Sequence, residues 1–260
     1  MRTLVIGTRG FLSQSLIKNK QFSEAIFIKP EEIVKIDRKS LNIQKIILLS
    51  FNSKWKEVPS YDCEVEKSIL KVFGSENILI QYISTSKVYA NKINLTEESQ
   101  ICPTSIYAEN KIIAEEFISK NFKYFHIFRA SNIFNNTGGA PNTFLDILIK
   151  NLKGNKVMFD VSNQSKRDFI STNFIGNLLS NSHIPHSGIY NLSSAIPIKI
   201  IDIIRIIINH NKINKNLLIQ SYGDQITSQV LDNTKLIKEF GYSKFLKQEL
   251  FKELGEINAK

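Results

Sequence analysis

Short apolar runs recur through the first half of the chain, each bounded by polar or turn-forming residues. "TLVIG" (Thr3 to Gly7), "EAIFI" (Glu24 to Ile28), "KIILLSF" (Lys45 to Phe51), "ILIQYIS" (Ile78 to Ser84) and "YFHIFR" (Tyr124 to Arg129) read as buried strands. "FLSQSLIKNK" from Phe11 and "PTSIYAENKIIAEEFI" from Pro103 read as helices, the first set off by a glycine turn. Strands alternating with helical stretches need crossover connections, which predicts a parallel sheet covered on both faces: an α/β, doubly wound fold. After Arg129 the pattern changes. "NNTGGAPN" is a loop, later segments alternate less regularly, and a second, smaller lobe is expected to begin there.

Composition narrows the class. A chain of 260 residues, 42% of them hydrophobic, can bury a sizeable core. The N-terminal apolar run is too short for a signal peptide or a membrane span, and the Ile-rich "IKIIDIIRIIINH" is interrupted by Lys199, Asp202 and Arg205, so a cytoplasmic protein without a membrane partner is expected. Cys63 and Cys102 form neither a CxxC pair nor a metal-ligand cluster, and His126, His183, His186 and His210 lack ligand spacing, so no metal site is predicted. The net charge of +10 raises the question of nucleic acid, but the cations are scattered and no RNA-binding signature is present. Cys102 reads as a buried thiol and Trp55 as a packing indole.

Two stretches suggest chemistry. In "GTRGFLS", Gly7 and Gly10 allow a tight turn and close approach of a pyrophosphate to the start of the helix at Phe11 and Leu12, although Ser13 stands where a third glycine would allow close helix packing. No acid closes the second strand, where a carboxylate would bind ribose hydroxyls. Lys29 stands there, and Arg9 offers a planar fork suited to a 2′-phosphate, while Asp37 and Glu31 are the acids that could take the carboxylate's place if the strand ends elsewhere. Further on, Tyr107 and Lys111 are four apart on one helix, so phenol and ammonium share a face. An ammonium beside a phenol favours phenolate, which predicts a lowered Tyr107 pKa and a group able to exchange protons.

"YISTSKVYA", Glu97, "PTSIYAENK", "FRASNIF", "KRDFIST", "GIYNLSS" and "LDNTKLIKEFGY" follow one another in an order that resembles the extended short-chain dehydrogenase/reductase family, in particular its nucleotide-sugar epimerases, dehydratases and reductases. The resemblance covers nearly the whole chain. It implies a Rossmann-like domain over 1–135, to which 166–187 return, and a substrate lobe from 136–165 and 188–260. It implies a catalytic set of Thr85, Tyr107 and Lys111, with Thr85 on the sugar oxygen, Tyr107 exchanging the proton and Lys111 holding the nicotinamide ribose. Gly7, Arg9, Gly10, Phe11, Leu12, Lys29 and Ser50 are the further cofactor positions, and Thr85, Ser86, Lys87, Asn132 and Arg167 the substrate positions.

Departures from the pattern shape the expected reaction. Dehydratases of the family follow the threonine with an Asp-Glu pair, where this chain has Ser86 and Lys87. The Arg9 turn is similar to that of GDP-fucose synthase, but Lys87 stands where that enzyme has its epimerisation cysteine. The expectation is an NADP(H)-dependent reductase of a 4-keto-6-deoxy nucleotide sugar, with NAD(H) possible, and a 4-epimerase with bound NAD as the alternative. A binding protein of the same fold, a redox sensor or an RNA binder, is a third reading that the Thr/Tyr/Lys set argues against. The resemblance also implies a homodimer through the Tyr107 helix, to which Ile112, Ile113, Phe117 and Ile118 give extra apolar surface.

Overall fold

The structure is a computed structural model that describes residues 2–37, 41–49, 57–75, 77–152, 156–159, 161–181, 186–213, 218–221 and 223–258. Ser50, Phe51, Trp55 and His183 lie outside the described residues, and Cys102, expected to be buried, is exposed, because it sits in the loop ahead of Pro103. The larger body is a six-stranded parallel sheet, ordered β2 (Ile26–Ile28), β1 (Thr3–Ile6), β3 (Lys45–Leu48), β4 (Leu79–Thr85), β5 (Tyr124–Ala130) and β11 (Gly188–Leu192), counting from one edge. The five strands expected from the apolar runs are all present.

The run of apolar residues is explained by burial on both faces. Leu4, Ile6, Ile46, Leu48, Ile80 and Tyr82 point to one side, into a core closed by α2 (Glu64–Phe73) and α3 (Ile106–Asn121). Val5, Ile47, Ile83 and Phe128 point to the other, against α1 (Phe11–Ile17), α5 (Thr172–Ser180) and α7 (Thr234–Phe240). Alternate residues of a strand face opposite ways, so each strand serves two cores at once.

A third core belongs to the smaller lobe. It is formed by Leu145, Leu148 and Leu152 of α4 (Phe144–Leu152), Ile200, Ile203, Ile204 and Ile207 of α6 (Ile200–Asn211), and Leu250 and Leu254 of α8 (Lys247–Gly255). The Ile-rich segment is thus one amphipathic helix, its isoleucines at i, i+3, i+4 and i+7 buried and its charges outside. Three small sheets surround this core: β6 (Asn132–Asn135) with β7 (Gly138–Gly139) and β10 (Phe169–Ser171), β9 (Lys166–Arg167) with β12 (Ile198–Lys199), and β8 (Lys156–Phe159) with β13 (Leu218–Ser221).

The expected lobe boundaries need correction. Gly188–Leu192 is the sixth strand of the large sheet, with Tyr190 and Leu192 fully buried, and α7 packs on the same face. Of the segment 166–187, α5 returns to the large sheet, but β9 and β10 pair with strands of the smaller sheets. "GIYNLSS" is therefore a strand whose partner, β5, lies far back in sequence, and no local pattern reports that pairing.

Candidate active site at the carboxyl ends of the strands

In this sheet β2 lies on one side of β1 and β3 on the other, so the connection reverses direction between β1 and β3, and that crevice is where α/β sheets receive ligands. Gly7 leaves β1 with φ of +112°, a conformation that a side chain opposes, and its N–H donates to the Ile28 carbonyl at 2.9 Å. That bond sets the glycine turn against the end of β2, where partly buried Lys29 stands; Arg9 in the same turn is exposed. Gly10 caps α1, and a Cβ added there would meet nothing closer than Ser13 Oγ at 3.5 Å. Within the chain, then, Gly10 has room for a side chain. Phe11 and Leu12 open the helix, Leu12 facing the core, and the buried Ser13 hydroxyl has no hydrogen-bond partner among the described residues.

The Thr85, Tyr107 and Lys111 group forms at the end of β4. Thr85 is the last residue of the strand, and its Oγ1 accepts from the Lys87 N–H at 3.3 Å, opening a short 3-10 turn over Ser86–Val88. Tyr107 lies in the first turn of α3, which Ser105 caps by accepting from the Ala108 N–H, and its phenol stands next to Thr85. Lys111 follows one turn later. Its Nζ donates to the Ile83 carbonyl at 2.9 Å and lies 4.5 Å from the centre of the Tyr82 ring and 5.9 Å from that of Tyr107.

The expected effect of Lys111 on the phenol is not what the site shows. Burial pushes Tyr107 up to about 12, and the neighbouring Thr85 hydroxyl, rather than the ammonium, is what pulls it back. Lys111 is itself drawn down to about 8 by burial, against the opposing charges of Glu66 and Glu115. Desolvation penalises whichever form is charged, so it keeps the phenol protonated and weakens the ammonium.

Some motif residues turn out to brace the site. Arg129, from "FRASNIF", makes a buried salt bridge to Glu115 at 2.7 Å and donates to the Tyr89 hydroxyl at 2.8 Å. Ser84 donates to the same Glu115, Tyr89 donates to Asn191 Oδ1 at 2.9 Å, and the Asn191 N–H donates to Glu97 at 2.7 Å. These residues tie β4, β5, β11 and α3 together just beneath Thr85 and Lys111. Glu115, one turn after Lys111, is the member that motif reading passed over.

The substrate-side residues are brought together less directly. Ser86 donates to Gln229 Oε1 at 2.9 Å, and Gln229 Nε2 returns a bond to the Ser86 carbonyl at 3.1 Å, while Lys87 is exposed. Asn132 on β6 donates to the Asp168 carbonyl at 2.9 Å. Arg167 on β9 donates to the Thr227 carbonyl and, at 2.9 Å, to the Thr227 hydroxyl. The segment carrying Thr227 and Gln229 therefore links Arg167 to the turn after Thr85, a convergence of residues more than a hundred positions apart in the chain for Ser86 and Gln229 that no local signal announces. Among the described residues no group of three or more His, Cys, Asp or Glu side chains is placed to hold a metal ion, and no helix is long and apolar enough to cross a membrane.

A doubly wound sheet with a glycine turn at its switch point and a Thr/Tyr/Lys group on the neighbouring strand and helix defines a Rossmann-like protein of the dehydrogenase type. Residues 63–218, more than half of the chain, match the family described as RmlD substrate binding domain, and the chain belongs to that family, within the extended short-chain dehydrogenases/reductases. No curated protein matches by sequence. Solved structures match over nearly their full lengths. The UDP-N-acetylglucosamine 4-epimerase of Methanobrevibacter ruminantium M1, in complex with UDP-N-acetylmuramic acid, superposes with a TM-score of 0.78 at 16% identity, covering 98% of this chain and 96% of that one. The dTDP-glucose 4,6-dehydratase of Bacillus anthracis, in complex with NAD, gives 0.77 at 17% identity, covering 99% and 95%. RMD from Pseudomonas aeruginosa, complexed with NADPH, gives 0.78 at 15% identity, covering 99% and 97%. At such identities the likeness is one of fold.

Proposed function

We propose that this chain is an NADP(H)-dependent oxidoreductase that reduces the 4-keto group of a nucleotide-linked 6-deoxysugar. The observation that carries the reading is the meeting of Thr85, at the end of β4, with Tyr107 in the first turn of α3, with buried Lys111 one helical turn further on. When bound, the nicotinamide supplies a hydride from its C4. The turn from Gly7 to Gly10 and the first turn of α1 would hold its pyrophosphate, where the space over Gly10 leaves the backbone open to close approach. Lys111 would hold the ribose hydroxyls.

The residues of the chain then handle the proton. Thr85 holds the sugar oxygen, and Tyr107 gives it a proton as the oxygen gains charge. A phenol held near 12 keeps its proton throughout the neutral range, which suits donation, the direction that a reduction requires. An epimerase must begin by taking a proton, so the same observation ranks it second. Arg9 and Lys29, set at one rim by the bond from Gly7 to Ile28, support NADP over NAD, since a 2′-phosphate needs cations where a ribose hydroxyl needs an acid. Asn132 and Arg167 are the proposed contacts to the diphosphate and nucleotide.

The alternative is a 4-epimerase that keeps NAD bound, an activity named for one of the structural neighbours. Absorbance at 340 nm separates the two. Stoichiometric consumption of NADPH on adding 4-keto sugars linked to UDP, dTDP, CDP or GDP supports reduction; copurified NAD with turnover in the absence of added cofactor supports epimerisation.

A further inference from the structure

At the end of the sheet away from the glycine turn, where β1 and β3 begin, lies a cavity of about 570 Å³, within the size range of small-molecule sites. Its walls are mostly polar. Arg2 precedes β1, Lys45 opens β3, Gln21 and Phe22 come from the 3-10 turn over Lys20–Phe22, Glu24 lies just ahead of β2, and Ser180 ends α5. The Ser180 hydroxyl donates to Gln21 Oε1 at 3.1 Å, and the Lys45 N–H donates to the Arg2 carbonyl at 3.3 Å, so these walls are tied to one another.

Lys45 decides what such a cavity can take. It is 2% exposed, and its Nζ donates at 2.6 Å to the Leu179 carbonyl in the last turn of α5, where the helix dipole favours a cation. Leu179 adjoins Ser180 of the cavity wall, which sets the ammonium at the inner end of the cavity. An ammonium carries three donors, and this bond uses one. Among the described residues no carboxylate makes an ion pair with Lys45 or with Arg2, which is exposed at the mouth. Glu24, the acid in the cavity wall, is exposed too and pairs with neither. Burial draws Lys45 down to about 8, with no charged neighbour among the described residues acting against it. A buried ammonium in this state is costly, and an anion within reach would offset the cost.

We propose that this cavity binds a small oxyanion, a carboxylate or a phosphate group, with Lys45 donating to it from within and Arg2 pairing with it at the mouth. The strands are parallel and the cavity lies at their amino ends, whereas Thr85 and the glycine turn lie at their carboxyl ends. The site is therefore separate from the cofactor and sugar positions and does not rest on the function proposed above.

The test uses the full chain labelled with carbon-13 at its lysine Cε atoms, the Lys45 signal being identified by its loss in Lys45→Arg, or in Lys45→Met if the arginine is not accommodated. Acetate and sulfate probe the carboxylate and phosphate chemistries, since neither titrates between pH 7 and pH 9, and chloride at equal ionic strength is the control. At pH 7 at least one probe should shift the Lys45 signal saturably, and at saturation it should raise the titration midpoint above about 8, by roughly one pH unit. A response to acetate alone assigns a carboxylate ligand, a response to sulfate alone a phosphate, and a response to both supports the shared chemistry. Binding should weaken about tenfold between pH 7 and pH 9 as Lys45 loses its proton. Arg2→Ala, a change at the exposed mouth, should weaken it roughly two- to fivefold. No shift beyond that of chloride overturns the proposal, and so does a shift that does not saturate or is as strong at pH 9 as at pH 7, which marks a general salt effect. A midpoint that falls in Glu24→Gln without added anion would overturn it as well, since Glu24 would then already be the counter-charge.

Discussion

Asp168 shows how far burial alone can move a residue in this chain. It is 1% exposed, its Oδ2 accepts from the Leu231 N–H at 2.7 Å, and burial pushes its carboxyl from 3.8 up to about 6 despite that bond. Because the folded value lies above the unfolded one, the folded state binds more protons between about 4 and 6, and stability falls as pH rises through that window, by on the order of 3 kcal/mol. Asp168→Asn keeps an acceptor for Leu231 and cannot titrate. Chemical denaturation at pH 4 and pH 6 should therefore show a smaller loss in the variant than in wild type; equal losses would contradict the assignment. At this scale the sequence is most informative where a local motif exists. The shared face of Tyr107 and Lys111 was legible from their spacing on one helix, and Thr85 was placed beside them only by the resemblance of "YISTSKVYA" to the family's motif. Gln229 was not legible, since it meets Ser86 only once distant segments come together, and the depressed Tyr107 expected from its neighbour ignored a desolvation that only the folded chain reveals.

Among elements, the unit formed by β1, the glycine turn, α1 and β2 is the one proposed to select the cofactor. Arg9 and Lys29 come to the same rim because the Gly7 N–H reaches the Ile28 carbonyl. Replacing both, as Arg9→Ser with Lys29→Asp, should shift the ratio of NADPH to NADH affinity toward NADH by about 10- to 100-fold, the worth of one or two charge-assisted hydrogen bonds. A fluorescence titration that finds the ratio unchanged would remove the basis for NADP. The strands of this unit could be read directly, because residues buried on both faces leave continuous apolar runs. β11 escaped, since its pairing with β5 joins segments separated by α4, α5 and the smaller sheets. After β2, Lys29 opens a 3-10 turn over Pro30–Lys35, held by the bond from its N–H to Glu32 at 2.7 Å. Pro30 at that point has no N–H to extend the ladder, so β2, an edge strand of the sheet, ends there.

For the whole molecule, the proposed homodimer depends on what α3 leaves uncovered. Ile118 is fully buried in the core and Phe117 packs against it, while Ile112 covers the cluster of Val88, Tyr89, Leu95 and Leu231. Part of the helix's apolar excess is thus spent inside the chain. Partly buried Ile113 and the outer parts of Phe117 remain for a partner. Light scattering at micromolar concentration should give twice the 29.8 kDa chain mass, and a monomeric mass would rule the dimer out. The net charge of +10 has no patch assigned to it, and its consequence is left to the anionic cofactor and substrate that the site is proposed to take. The central claim is that Tyr107 protonates a sugar oxygen beside a nicotinamide. It is tested most directly by the rate of NADPH oxidation at 340 nm, with the 4-keto sugar that wild type consumes, in Tyr107→Phe. The variant should bind NADPH as wild type does and turn over roughly 10²- to 10⁴-fold more slowly, the range expected for losing a general acid. A Tyr107→Phe protein that oxidises NADPH at the wild-type rate would contradict the account.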